Sequence, residues 1–270
     1  MRAMAYEAHE RRATTDGLET RWHEAGDGVP VLYVHGVPNT GAQWKSFLER
    51  TGGVAPDLPG FGGSAKPSSF SYSIPGYEAW LRTFVALRGL ERFSLVVHDW
   101  GGAALALAQA EPDRIEKLVV INAVPLLPGY EWHVLARQWR RPVIGELAMG
   151  FTTKFITRRL VARGGQTFPA LELDEVWSHF DHGTQRAILK LYRSAPPEVL
   201  ERAGENLAQI EAPALIVWGE NDPYIDTSFG HAYADALGGK TTVRTVAGAG
   251  HWPWHDEPSL IGEVASFLAP

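Results

Sequence analysis

The sequence contains no cysteine. Disulfide bonds, a thiol nucleophile and cysteine-ligated zinc are therefore excluded. The sequence also lacks an excess of positive charge, because 25 Lys and Arg stand against 31 Asp and Glu and the net charge is −6. Nucleic-acid binding depends on clustered Lys and Arg that neutralise phosphates. We therefore expect no nucleic-acid partner.

Long apolar runs are missing as well. No stretch approaches the roughly 18 consecutive apolar residues that a membrane span requires. The first residues, MRAMAYEAHERRATTDG, contain no apolar segment typical of a signal peptide. These absences predict a cytoplasmic protein without a membrane partner. A length of 270 residues is enough for one large domain or for a core with an insertion.

Short apolar runs alternate with helix-like stretches along much of the chain. The apolar runs are VPVLYVHG (29–36), FSLVVHD (93–99), LVVINAV (118–124) and ALIVWGEND (214–222). Such runs are typical of parallel strands that are buried on both faces. The helix-like stretches cover 41–50, 76–90, 102–114, 228–238 and 259–269. This alternation predicts an α/β fold, with a mostly parallel sheet covered by helices on both faces.

Residues 125–210 break the alternation. They contain helix-like stretches at 130–139, 145–162, 173–195 and 197–210, and no strand-like run. Breakers punctuate the region at Pro125, Pro128, Gly164, Gly165 and Pro196. A helical block between two strands is best explained as a cap over the carboxyl ends of the sheet, where open α/β sheets bind ligands. We predict a core of residues 1–124 and 211–270 with an inserted helical cap of residues 125–210.

The segment SLVVHDWGGAALALA (94–108) is a strand that turns into a helix within two residues. Asp99 stands at the turn, with Gly101 and Gly102 close behind it. This is the strand–turn–helix setting of the nucleophile elbow G-x-S-x-G, with aspartate in the place of serine. An aspartate at this point can also be a simple helix N-cap. The segment alone leaves both interpretations open.

Three further segments favour a catalytic role for Asp99. YVHGVPNT follows an early strand and brings the Val37 N–H toward the elbow, where it would form an oxyanion hole with the Trp100 N–H. WGENDPYI puts Asp222 after a late strand, and VAGAGHWPW puts His251 in a glycine-rich loop. The order nucleophile, acid, histidine is that of the α/β-hydrolases.

The motifs HGVP, DLPGFGGS, HDWGG, WGENDP and GAGHWPWHDEP resemble those of the α/β-hydrolase superfamily, and in particular its aspartate-nucleophile branch. That branch includes the epoxide hydrolases and the haloalkane dehalogenases. The resemblance covers nearly the whole chain and implies an α/β-hydrolase fold with the triad Asp99, Asp222 and His251. Some dehalogenases carry the acid after an earlier strand, but the matching residue here is Asn122. No cofactor is implied.

A carboxylate nucleophile narrows the reaction. It is ionised at neutral pH and needs no base. Attack on an acyl carbon would give a mixed anhydride, whereas attack on a saturated carbon gives an alkyl ester that water can hydrolyse. His251 would then activate that water, and Asp222 would orient the imidazole. Asp99 therefore favours a small hydrophobic epoxide or alkyl halide as substrate.

The leaving group separates the two reactions. An epoxide oxygen needs a proton donor, and ILKLYRSAP resembles the tyrosine-arginine segment of epoxide hydrolase caps, so Tyr192 is the expected donor. Tyr130, the other cap tyrosine, lies earlier in the sequence than the family pattern has its second tyrosine.

A halide leaving group needs N–H donors, and the Trp100 indole supplies one of them. The asparagine that many dehalogenases carry after the His-Gly pair is Val37 here, which leaves Asn39, Trp132 or Trp139.

The sequence therefore favours an epoxide hydrolase that forms a vicinal diol, with a haloalkane dehalogenase as the alternative. An esterase-like hydrolase or a non-catalytic ligand receptor on the same fold is a weaker reading. Substrate contacts are predicted for Pro38, Trp100, Tyr130, Trp139 and Trp252. His251 and His255 are four residues apart, but Pro253 interrupts a regular helix there, so no metal site is predicted. The oligomeric state is left open between monomer and homodimer.

Overall fold

The computed structural model describes residues 6–162 and 168–270, and its centre is an eight-stranded sheet. The strands are β1 (His9–Thr15), β2 (Leu18–Ala25), β3 (Val31–Val34), β4 (Gly53–Pro56), β5 (Phe93–Asp99), β6 (Ile115–Ala123), β7 (Ala214–Gly219) and β8 (Thr241–Val246). Their order across the sheet is β1-β2-β4-β3-β5-β6-β7-β8. Only the pairs β1–β2 and β2–β4 are antiparallel. The predicted mostly parallel sheet is confirmed.

Helices cover both faces of this sheet, as predicted. In β5, Val96 packs on one face and Val97 on the other, because successive side chains of a strand point in opposite directions. One face is covered by α1 (Lys45–Thr51), the short α11 (Pro253–Asp256) and α12 (Leu260–Leu268). The opposite face is covered by α2 (Ile74–Leu87), α3 (Leu105–Ala110) and α10 (Ser228–Ala236). The chain has the α/β-hydrolase fold that the motifs implied.

Four strands have no counterpart in the sequence-based prediction. β1 exposes every residue except its last, and its sequence HERRATT is mostly polar. β2 completes a hairpin with β1, β4 has only four residues, and β8 is half-exposed with the sequence TTVRTV. Strands at or near a sheet edge lack the long apolar run that marks a central strand.

Within the described residues between β6 and β7, all regular secondary structure is helical, and it begins after the irregular residues 124–133. Its helices are α4 (Val134–Trp139), α5 (Ile144–Gly150), α6 (Lys154–Val161), α7 (Ala170–Ser178), α8 (His182–Ser194) and α9 (Pro197–Ala203). Two predicted long helices are each divided in two. Thr153 caps α6 and Asp181 caps α8 through side-chain oxygens that accept backbone N–H groups, and such caps begin a new helix. Gly164 and Gly165 lie outside the described residues.

Buried and partly buried charges join this helical segment to the sheet. Arg21 on β2 donates to Asp57, which follows β4, and at 2.8 Å to Glu175 on α7. The ammonium of Lys66 donates to the His179 carbonyl at 2.7 Å and to Asp181 at 3.0 Å. These bonds tie α7 and the N-cap of α8 to β2 and to the loop after β4. Within residues 6–162 and 168–270, no helix combines the length and apolarity needed to traverse a bilayer.

Candidate active site

Asp99 stands at the last position of β5, in a strained turn. Its φ and ψ are 49° and −124°, a region that residues other than glycine rarely adopt. A 3₁₀ helix (Trp100–Ala104) follows directly, and Asp99 makes no side-chain cap bond to it. A Cβ on Gly36 would lie 2.3 Å from Asp99 Cβ, and one on Gly101 would lie 2.2 Å from the Val34 carbonyl oxygen. The turn therefore depends on these two glycines, and its carboxylate is left available for chemistry rather than capping.

The structure brings the three predicted triad residues together. His251 Nδ1 lies 2.7 Å from Asp222 Oδ2, and His251 Nε2 lies 3.6 Å from Asp99 Oδ2. The Asp222 side chain is fully buried, and its other oxygen accepts the backbone N–H groups of Tyr224 (2.8 Å) and Ile225 (3.1 Å). An imidazole held between an orienting carboxylate and a second carboxylate has the geometry of a general base next to a nucleophile.

The loop after β3 supplies one of the two predicted oxyanion donors. The Val37 N–H donates to Asp99 Oδ1 at 2.7 Å. His35 braces this loop, since its Nε2 accepts the Leu58 N–H at 2.9 Å and its Nδ1–H therefore donates to the Gly36 carbonyl at 2.7 Å. The other predicted donor is the backbone N–H of Trp100. Trp100 is the first residue of the 3₁₀ helix that follows Asp99.

The charges of the site reinforce one another. Burial alone would raise the pKa of Asp99, but His251 and the Val37 N–H outweigh burial and hold that pKa below its usual range. Burial would likewise lower the pKa of His251, yet the Asp222 and Asp99 carboxylates raise it. The two carboxylates thus favour a protonated His251, and His251 in turn favours the ionised form of Asp99, which is the form that can attack.

His98, next to the nucleophile in sequence, lies behind the site. Its Nε2–H donates to the His251 backbone carbonyl at 2.9 Å, and Gln43 Nε2 approaches its Nδ1 at 3.5 Å. Burial, followed by the neighbouring His251, lowers the pKa of His98 to about 3. His98 is therefore a neutral structural residue that ties the histidine loop to β5.

Asn122 on β6 is a residue whose contribution the sequence reading missed. Its side-chain amide donates to Asp222 Oδ2 at 2.6 Å, and its carbonyl accepts the Gly219 N–H at 3.1 Å. Asn122 has a φ of 41°, which asparagine tolerates better than most residues. Its position in the alternative-acid segment was noted, but not that an amide there would hold the acid on the neighbouring strand.

A cavity of about 200 Å³ adjoins the candidate catalytic groups, since His251 is part of its wall. Its lining is mostly apolar and includes Val37, Pro38, Trp139, His251 and Trp252. Pro38, Trp139 and Trp252 were predicted substrate contacts, and the structure puts all three at the cavity wall. Trp100, Tyr130 and Tyr192 are buried in the same region but are not among the lining residues within the described chain.

The Tyr192 side chain on α8 packs against Trp100, the residue that follows Asp99. Its ring packs edge-on against the Trp100 indole at 5.2 Å between ring centroids, and the Trp132 and Trp139 rings lie at 4.8 and 5.0 Å. Burial, together with the Asp99 charge, raises the pKa of Tyr192 above its usual value, and the Trp100 indole N–H opposes that rise. The Tyr192 hydroxyl is thus a neutral donor, carried on a ring that packs against Trp100, the residue after Asp99.

Several other candidate donors have different surroundings. Among the residues that the structure describes, the buried Trp100 indole N–H and the buried Tyr130 hydroxyl have no hydrogen-bond partner of normal geometry. The Trp132 indole N–H donates to the Ala195 carbonyl at 2.7 Å, and the Asn39 amide donates to Gln43. Trp132 and Asn39 are therefore engaged within the protein and are poor candidates for holding a halide.

His133 is a second residue that the sequence reading missed. It lines the cavity, and its Nδ1 accepts the Ala136 N–H at 3.3 Å as the N-cap of α4. Because Nδ1 is an acceptor, the ring proton is on Nε2. Burial lowers the pKa of His133 to about 4, so the ring is neutral. The sequence gives no signal for this role, because His133 falls inside the predicted helix-like stretch 130–139 and not at its beginning.

Metal ligation finds no support in the part of the chain that is described. No group of three or more His, Cys, Asp and Glu side chains there is arranged to hold a metal ion. His255 instead contacts Glu172 on α7 at 3.0 Å through Nε2.

Comparison with known proteins finds a matching family profile together with relatives that are named haloalkane dehalogenase and epoxide hydrolase. The profile described as alpha/beta hydrolase family matches residues 31–263. A haloalkane dehalogenase of Bradyrhizobium diazoefficiens is 27% identical over 96% of this chain and 94% of its own length. Epoxide hydrolase 1 of Caenorhabditis elegans is 25% identical over 88% of this chain, which spans 64% of that longer protein. The crystal structure of the haloalkane dehalogenase DbeA from Bradyrhizobium elkani superposes with a TM-score of 0.82 at 23% identity, covering 97% of each chain.

Proposed function

Because the chain belongs to the alpha/beta hydrolase family, we propose that this hydrolase opens small apolar epoxides to vicinal diols through an ester on Asp99. The observation that carries the proposal is the buried Tyr192, whose ring packs edge-on against Trp100, the residue that follows Asp99. A phenol that stays protonated beside the nucleophile is suited to donate a proton to a departing alkoxide.

The first half-reaction is a displacement at a ring carbon. An Asp99 oxygen forms a bond to that carbon while the ring C–O bond breaks and its electron pair moves to the ring oxygen. That oxygen takes a proton from Tyr192. The His133 Nε2–H is a second donor at the cavity wall for the same oxygen. The product is a hydroxyalkyl ester of Asp99.

The second half-reaction uses the histidine. Esterification removes the Asp99 charge that helps to raise the pKa of His251, so the imidazolium releases a proton. The proton that His251 releases replaces the one that Tyr192 gave up, so the Tyr192 hydroxyl is restored. Neutral His251 then deprotonates water, which attacks Asp99 Cγ, while the Val37 and Trp100 N–H groups stabilise the oxyanion. The tetrahedral intermediate then collapses with cleavage of the ester C–O bond, and the departing alkoxide takes the remaining water proton from the new Asp99 carboxyl. The diol leaves, Asp99 is again a carboxylate, and Asp222 stabilises the imidazolium that has formed again.

A haloalkane dehalogenase is the second candidate, favoured by one observation. The Trp100 indole N–H is buried and lacks a normal hydrogen bond, as expected of a group that waits for a halide. A halide also needs a second N–H donor, and the candidates for it have less support. Position 37 is a valine, and the Asn39 and Trp132 side chains donate to other protein groups.

The two reactions are separated by their products. The enzyme is incubated with styrene oxide, cyclohexene oxide, 1-bromohexane and 1-bromobutane, and diol and bromide are measured separately. We expect diol formation without comparable bromide release. Bromide release without diol would favour the dehalogenase, and activity on neither class would contradict both. Asp99→Ala is the control for background hydrolysis in each assay.

A further inference from the structure

The helical cap exposes apolar side chains around the mouth of the cavity. Ile144, Leu147 and Phe151 lie on one face of α5, since they are three and four residues apart. Phe155 and Ile156 follow at the start of α6. Phe151 is 74% exposed and Phe155 is 64% exposed. Phe151 and Ile156 also line the cavity. These five residues, here called the cap apolar surface, therefore continue directly into the cavity.

Positive charge accompanies this surface. Residues 134–162 contain six Lys and Arg and one Glu, although the whole chain has a net charge of −6. The exposed Arg141 precedes α5, and the exposed Arg158 and Arg159 lie on α6. The one acid, Glu146, is paired with Arg193 at 2.7 Å, and Lys154 is paired with Asp174. The excess positive charge beside the cap apolar surface therefore rests on arginines.

We propose that the cap apolar surface docks on an anionic lipid surface. Exposed Phe and Leu beside Arg and Lys is the composition of helices that lie in the plane of a membrane interface. Anionic headgroups attract such arginines, while the acidic remainder of the molecule is repelled, so the cap is turned toward the lipid. This proposal replaces the expectation from the sequence that the protein has no membrane partner. The lack of a spanning helix bears on crossing a bilayer, whereas docking needs no span.

Charge argues against a second copy of this chain as the occupant. A two-fold symmetric dimer brings the same patch of both subunits together. Here it would oppose the arginines of one subunit to those of the other, which is unfavourable. A lipid surface instead offers the opposite charge together with an apolar interior for the phenylalanines. If the proposed function holds, apolar substrates dissolved in the lipid would reach the cavity mouth without crossing water.

Vesicle co-sedimentation tests the docking. The full-length protein is mixed with vesicles of phosphatidylcholine alone, or of phosphatidylcholine with phosphatidylglycerol, at low and high salt. We expect binding to the anionic vesicles that weakens at high salt. Arg158→Gln with Arg159→Gln should lower the partition coefficient about 10- to 30-fold. Phe155→Ser should lower it about 10-fold.

Matched controls come from the core. Leu87→Ser removes an apolar side chain that is 61% exposed on α2, and Arg92→Gln removes an arginine at the start of β5, the opposite end from Asp99. Neither should change binding. Equal binding to both vesicle types, or equal losses in the controls, would overturn the proposal. Absence of binding to the anionic vesicles would overturn it as well, and a dimer that Phe155→Ser dissociates, seen by sedimentation velocity, would then assign the surface to a second copy of this chain. Hydrolysis of a dissolved epoxide by the same variants is measured in parallel, so docking and catalysis can fail independently.

Discussion

The Asn122 amide and the Asp222 carboxylate are joined by a 2.6 Å hydrogen bond, and it ends on the same Asp222 oxygen that His251 contacts at 2.7 Å. The other Asp222 oxygen is held by two backbone N–H groups. The carboxylate therefore cannot rotate without losing several bonds. Asn122 is a positioning residue that acts on the histidine through Asp222.

Asn122→Asp tests this relationship. The variant keeps the shape and the backbone preference of asparagine but puts two carboxyl groups in contact. We expect hydrolysis of the ester intermediate to slow about 10- to 100-fold, which corresponds to losing a hydrogen bond to a charged group. Single-turnover kinetics measures this rate. Asn221→Asp is the matched control, because it adds the same charge beside Asp222 while its amide reaches only the Gly248 carbonyl. Equal rates in both variants would contradict the role of Asn122.

Replacing His251 should stop the reaction halfway. Asp99 is ionised without help from a base, so His251→Gln should still form the ester but not hydrolyse it. Intact-protein mass spectrometry should show an adduct of the substrate's mass, and Asp99→Ala with His251→Gln should show none. In ¹⁸O water, the first turnover of the wild type should give product with unlabelled oxygen from Asp99. Labelled first product would mean direct attack by water.

The two half-reactions should respond differently to pH. The pKa of Asp99 is held below its usual range, and that of Tyr192 is raised above its usual value. The rate of ester formation should therefore change little between about pH 5 and 9. Ester hydrolysis needs neutral His251, whose pKa Asp222 still raises. Its rate should rise with pH, so the ester should accumulate at low pH. Stopped-flow tryptophan fluorescence, with Trp100 beside the nucleophile, resolves the two steps.

Gly36→Ala should damage the elbow. The added Cβ would lie 2.3 Å from Asp99 Cβ and 2.5 Å from Asp99 Oδ1, so the nucleophile or the Val37 loop must move. We expect a loss of activity of about 100-fold or more and a decrease in the free energy of unfolding of about 1–3 kcal/mol. Urea denaturation and steady-state kinetics measure both. Gly262→Ala in α12, where a Cβ meets no neighbour within 4 Å, should keep activity and stability.

Two cap substitutions separate the proton donors. Tyr192→Phe removes only the hydroxyl and should slow ester formation from an epoxide about 100-fold or more. His133→Asn keeps an N-cap for α4 but withdraws the ring N–H from the cavity, and should slow the same step by about 10-fold. Tyr72→Phe, which loses a hydroxyl bond to the Pro67 carbonyl, is the control and should leave this step unchanged. An unaltered rate in Tyr192→Phe would contradict the proposed role of Tyr192.

The sequence predicted the parts of this molecule that depend on local patterns. Central strands such as β5 and β6 have apolar runs, and Asp99, Asp222 and His251 each follow such a strand or lie in a glycine-rich loop. The roles of Asn122 and His133 depend on contacts across about 100 residues or on ring tautomers, which no local pattern records. The division of the cap helices at Thr153 and Asp181 was missed because capping there interrupts a continuous helical pattern.

The hydrogen bond from the His98 ring to the His251 backbone carbonyl fixes the position of the histidine independently of the substrate-binding helices. It fastens the histidine to the same strand that carries Asp99, and none of its atoms belong to the helices above. Substitutions in those helices can therefore alter which molecules are accepted while the distance between the nucleophile and its base stays fixed. The pair that forms and hydrolyses the ester is thus independent of those helices, whereas the groups that receive the leaving oxygen, Tyr192 and His133, change together with the substrate pocket.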